Sequence, residues 1–217
     1  MFVRYAWLLP FMLATCSTTV AFSYPMPYTD EANKDSSLVR FRDELKRAAI
    51  KHDASFIRSN LSNDVLTAHG GGTGLRNFLE RWDCNDTRSE FWTVLTTALS
   101  HGGHFYIENG VTQFDAPYPR FEMGETTEAA VVEKNVPMFS EPNVGSKILE
   151  HVSFESVEVA DDRVVVERPT LEWVKVKVHC QTGFIEHKKL IVQTDPSITL
   201  KKIKGKWKVS WFGADST

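Results

Sequence analysis

Apolar positions in the first half of the chain recur with helical spacing. Leu38, Phe41, Leu45, Ala48 and Ala49 are separated by Arg42, Asp43, Lys46 and Arg47, which predicts an amphipathic helix from Ser36. A short second helix is expected around Asp53 to Ser59, burying Phe56 and Ile57. Leu75, Phe78, Leu79 and Trp82 share one face of a third. Trp92, Leu95 and Leu99 share one face of a fourth, starting near Thr87. The fourth is expected to close at His101-Gly102-Gly103, where glycine can take the left-handed C-cap conformation. Asn109-Gly110, between Phe105-Tyr106-Ile107 and the run 111–114, is a type I′ hairpin signal.

From Glu128 the period changes to two. Val131-Val132, Ile148-Leu149, Val157-Glu158-Val159, Val164-Val165-Val166, the run 173–178 and Phe184-Ile185 lie between turn residues. Such short, closely spaced strands predict a small β-barrel. The runs 198–203 and 207–212 predict a last hairpin turning at Lys204-Gly205, with Trp207 and Trp211 on one strand face over the helical region. The expected fold class is α+β: a helical N-terminal domain over 36–125, a barrel over 128–193 and a C-terminal hairpin over 194–217. Residues 24–35 carry two prolines and no periodicity, and are expected to form a tether.

The first residues divide as a secretory signal does. Arg4 is a short positive region, residues 5–14 are uncharged and apolar, and Ala21-Phe22-Ser23 fits the small-x-small cleavage rule. The apolar stretch is too short to span a bilayer core of about 30 Å. Cleavage after Ser23, leaving residues 1–23 as signal peptide, makes the mature protein periplasmic or secreted. Leu13-Ala14-Thr15-Cys16 approximates a lipobox, so a lipoprotein anchored at Cys16 is the alternative. Loss of Arg4 takes the formal charge from −3 to −4, which argues against an electrostatically driven nucleic-acid binder. No second apolar run of membrane length follows. In an oxidising compartment the remaining Cys84 and Cys180 can pair as a disulfide or stay as two thiols.

Motifs for catalysis are incomplete. His69-Gly70-Gly71-Gly72 matches an oxyanion-hole loop of some lipases, but no Gly-x-Ser-x-Gly elbow accompanies it. A conformational turn with glycines at positive φ is the simpler account, and a hydrolase built on this loop the remote one. His101 and His104 are spaced as metal ligands, yet Gly102-Gly103 breaks the helix that would aim both rings together. No enzyme activity, catalytic residue, metal or cofactor is expected.

Lys134-Asn135-Val136-Pro137 through Pro142, Lys147 to Val152, Trp173-Val174-Lys175-Val176 and Gly183-Phe184-Ile185 with Leu190 stand in a telling order. The stretch Ala129 to Val192 resembles the bacterial SH3-like domain of cell-envelope proteins, except that the family's arginine after Asn-Val is replaced by Pro137. Gly71-Gly72-Thr73-Gly74, Trp82, Trp92, Gly102-Gly103 and Phe114-Asp115-Ala116-Pro117-Tyr118 further resemble a group of proteobacterial exported proteins that join a helical region to this barrel. The resemblance implies that Phe139, Trp173 and Phe184 edge a ligand groove, although Trp173 and Phe184 can equally fill a small barrel. It implies a non-enzymatic binding protein for a cell-wall peptide or an envelope protein. An inhibitor or immunity protein against a wall-degrading enzyme is the second expectation.

Overall fold

The computed structural model describes residues 25–26, 28–67, 72–118, 128–160 and 172–213. The leader, the His69-Gly70-Gly71 part of the glycine loop and the strand expected at Val164-Val165-Val166 lie outside these residues.

Four helices form where the periodicity places them, with adjusted ends: α1 (Ser36–Lys51), α2 (Ala54–Asn60), α3 (Gly74–Arg81) and α4 (Phe91–Ser100). The start of α1 is set by Asp35, whose carboxylate accepts the backbone N–H groups of Ser37 and Leu38. His52, at φ 52°, ends the helix in the left-handed region. Leu38, Phe41, Leu45, Ala48 and Ala49 are buried as expected, but so is Arg42, which the spacing put on the polar face. Its Nη1 sits 2.8 Å from Asp30 Oδ1, and pairing is what makes a buried guanidinium tolerable. The tether expectation needs correction here. Glu31–Lys34 form a turn of 3-10 helix, and Glu31 N–H donates to the Gly103 carbonyl at 2.8 Å.

The first half is helical over most of its length up to Gly103, but not throughout. It also contributes β1 (Leu61–Leu66), β2 (His104–Glu108) and β3 (Val111–Ala116). The β2–β3 turn has Asn109 and Gly110 at φ 51° and 76°, the two positive values a type I′ turn needs. The C-terminal hairpin β11 (Ser197–Ile203) and β12 (Lys206–Gly213) joins these strands in a five-stranded sheet ordered β1-β12-β11-β3-β2. The helices cover one face. Their core joins Leu38, Leu45, Phe78 and Trp92 to Phe114, Leu200, Trp207 and Phe212 from the sheet.

The two-tryptophan face expected on β12 is interrupted. Thr199 pairs with Trp211, but Leu200 pairs with Val209, leaving Ser210 as the extra residue of a bulge. A one-residue shift reverses every side chain beyond it. Phe212 therefore joins Trp207 in the helical core. The Trp211 indole instead donates to Ser197 Oγ at 3.1 Å.

Between β3 and β11 the chain makes a second unit: β4 (Glu128–Val131), β5 (Val136–Phe139), β6 (Ile148–Val152), β7 (Ser156–Val159), β8 (Trp173–Val178), β9 (Gln181–Glu186) and β10 (Leu190–Val192). These strands form one sheet ordered β10-β4-β7-β8-β9-β5-β6. Its edge strands β10 and β6 do not pair, so the described residues form no closed barrel. The sheet folds around Val131, Met138, Val174, Val176 and Ile185. Ile198 faces Ala116 across β11 and β3, so this unit is inserted between two neighbouring strands of the first sheet. Met26 crosses to it, its N–H donating to the Phe154 carbonyl at 2.7 Å, and packs on Ala130, Val132 and Ile191.

Cys84 is buried in the first unit and Cys180 is exposed, and no disulfide joins the two. Among the described residues no helix is long and apolar enough to cross a membrane.

Candidate functional site

Alternation along β8 divides its residues between two faces. Val174, Val176 and Val178 enter the second core, while Trp173, Lys175 and Lys177 are half-buried on the other side. Opposite them on β9, Phe184 pairs with Lys175 and Glu186 with Trp173. Phe139, at the end of β5, pairs with Phe184. Its ring meets Trp173 edge-on, with centroids 5.6 Å apart, a favourable aromatic geometry. The three aromatics expected from the sequence thus stand together outside the second core. They differ in access: Phe139 is buried at 6 % exposure, whereas Trp173 and Phe184 are half-buried. Phe139 supports the ring of Trp173.

Trp173 opens onto a cleft of about 650 Å³ between the two units. One wall is the C-terminal end of α4, contributing Thr96, Thr97, Ser100 and His101. The other is the β8–β9 surface and the segment after it, contributing Glu172, Trp173, Glu186, His187 and Asp195, with Lys188 and Leu190 beside them.

A histidine–aspartate pair braces the second wall. His187 Nε2 lies 3.0 Å from Asp195 Oδ1 and 3.2 Å from Oδ2, and both side chains are almost fully buried. Asp195 Oδ2 also accepts the Val192 N–H at 2.8 Å, and its own N–H donates to the Val192 carbonyl. The His187 N–H donates to the Glu172 carbonyl at 2.9 Å. These bonds fix the segment 186–195 against the start of β8. On the opposite wall, burial pushes the His101 pKa below its usual value, an effect opposed by the charges of Asp195 and Glu133. Desolvation disfavours the imidazolium, so His101 is neutral near pH 7.

The remaining sequence candidates separate. His101 lines the cleft, whereas the His104 ring packs against Tyr118 at 5.1 Å and Tyr106 at 6.0 Å. Among the described residues no group of three or more His, Cys, Asp and Glu side chains is arranged to hold a metal ion. Gly102 and Gly103 do not take the expected left-handed cap, since His101 ends α4 in extended conformation. They are glycines because other backbone presses on them. A Cβ on Gly103 would overlap the Asp115 carbonyl and the Phe114 ring, and one on Gly102 the Thr29 carbonyl. In the glycine loop the positive φ, 87°, falls at Gly74 rather than Gly72.

Reading the sequence missed the α4 wall and the His187–Asp195 pair. The pair did carry a faint signal, a histidine and an aspartate eight residues apart around the buried run Leu190-Ile191-Val192. The α4 contribution had none, because contact between distant segments leaves no local pattern. Compared with known proteins, the chain matches no family model, no curated protein and no solved structure.

Proposed function

We propose that this is an exported, non-enzymatic binding protein that holds a short extended peptide of the cell wall in the cleft between α4 and the β8–β9 surface. The observation carrying this reading is Trp173, a half-buried aromatic that lines the cleft and is braced from behind by Phe139. Flat aromatic area on a rigid frame is a common way to hold extended peptides at low entropic cost. The cleft's volume is of ligand size. The order of residues from Asn135 to Leu190, which resembles an SH3-like envelope domain, supports a wall ligand. Arg4, the apolar run after it and Ala21-Phe22-Ser23 support export. Mass spectrometry of the protein from the periplasm should then find Tyr24 at its amino terminus, and acylated Cys16 would instead indicate a lipoprotein.

The His187–Asp195 pair acts here as a brace. Catalysis needs a nucleophile or an oriented water beside the base, and the hydroxyls of the facing wall donate to backbone carbonyls, Thr96 to Trp92, Thr97 to Thr93 and Ser100 to Thr97, which supports the reading of the pair as a brace. The test is calorimetric titration with soluble stem peptides released from peptidoglycan. Trp173→Ala should weaken binding by about 1–3 kcal/mol with little change in the melting temperature, because Trp173 lies outside the second core. Unchanged affinity in this variant would rule out the cleft.

A further inference from the structure

Resting on the peptide reading, we infer that the cleft recognises a primary ammonium group on its ligand, held between the carboxylates of Glu172 and Glu186 and the indole of Trp173. Three carboxylates line the cleft, those of Glu172, Glu186 and Asp195, against one ammonium, that of Lys188. Their positions set their roles. Asp195 is committed to His187 and the Val192 N–H. Glu172 is exposed and makes no ion pair with a described residue. Glu186 stands directly across the β8–β9 ladder from Trp173, and Glu172 precedes that tryptophan in the chain. Two carboxylates and one indole therefore line the same open cleft, a combination that attracts a cation through both charge and the ring quadrupole.

The protein carries its own stand-in for such a ligand. Lys188 Nζ lies 2.6 Å from Glu186 Oε1, and the lysine side chain is 69 % exposed. An exposed pair of this kind contributes little and exchanges readily, so an incoming ammonium displaces Lys188 from Glu186 at small cost. His101, neutral on the facing wall, adds no opposing positive charge.

The displacement gives the test its sign. Full-length protein is titrated with a lysine-containing stem tetrapeptide bearing a free side-chain amine, and with the same peptide acetylated at that amine. The free form should bind at least about tenfold tighter. Glu186→Gln should weaken the free form and leave the acetylated one unchanged. Lys188→Ala, by releasing Glu186, should strengthen the free form. Equal affinity for both peptides, with Trp173→Ala still weakening both, overturns ammonium recognition while the cleft reading stands. Weaker binding in Lys188→Ala likewise overturns it, indicating an anionic group in the cleft. Failure of both peptides to bind, or binding indifferent to Trp173→Ala, overturns the cleft reading and the ammonium with it.

Discussion

Gly103 and Gly145 show how different two glycines can be. At Gly103 an added Cβ runs into backbone and a buried ring, neither of which yields, so Gly103→Ala should cost about 1–3 kcal/mol. At Gly145 it would meet only the Asn143 side chain at 3.5 Å, and Gly145→Ala should be close to neutral in the same urea titrations. The sequence marks Gly102-Gly103 as special, but the reason comes from Asp115 and Thr29, which no local pattern reveals. Asp35 and His101 are among the residues that make stability depend on pH. Hydrogen bonds from Lys202 and Ser37 hold the Asp35 pKa down to about 2. A carboxylate depressed in the folded state stabilises above its unfolded value near 3.9 and loses that contribution as pH falls towards 2. Asp35→Ala should lose about 1–2 kcal/mol at neutral pH through the lost cap and flatten the stability profile between pH 4 and 2. His101 acts in a higher window. Its folded pKa lies below 6.5, so the unfolded chain takes up a proton first and stability declines as pH falls below about 6.5. Denaturant titrations of His101→Gln at pH 7.5 and 5.5 should show a smaller difference than the wild type.

Among the elements, those specified by local chemistry were legible. Asn109-Gly110 and Lys204-Gly205 both turn with positive φ, and α1 begins at Ser36 because Asp35 caps it. β1 was not legible. Leu61-Ser62-Asn63-Asp64-Val65-Leu66 has polar residues at its centre and no alternation, and it becomes a strand because β12 pairs with it in parallel. The bulge at Ser210 was equally hidden, since it depends on register with β11. Its consequence can be measured. Phe212 packs among Phe78, Trp82 and Phe91, so Phe212→Ala should cost about 3–5 kcal/mol. Trp211 lies outside that cluster, and Trp211→Phe, which keeps most of the ring, should cost less than about 1.5 kcal/mol. Equal losses in thermal melts would contradict the bulged register.

At the scale of the whole molecule, the second sheet begins at Glu128, where the period changes, but the C-terminal strands belong to the first sheet rather than following as a separate hairpin. β11 and β12 complete the first sheet, and Lys202 Nζ reaches Asp35 Oδ2 at 2.6 Å while the Trp207 indole donates to Ser37 Oγ. Removing 194–217 should therefore abolish cooperative folding of the first unit. Replacing 119–196 by a short glycine-serine link should preserve it, because β3 and β11 are already neighbours. The aromatics Phe139, Trp173 and Phe184, named together from the sequence, are neighbours in the structure. The cleft was not legible, because one of its walls is α4, far away in sequence. The most direct test is an amide chemical-shift map of the full-length protein titrated with soluble stem peptide. The expected result is a set of shifts on both walls, at Thr97, Ser100 and His101 and at Trp173, Glu186 and His187, saturating together. Shifts confined to one wall or to surfaces away from the cleft, or no shifts at millimolar peptide, would contradict a ligand held between the two units.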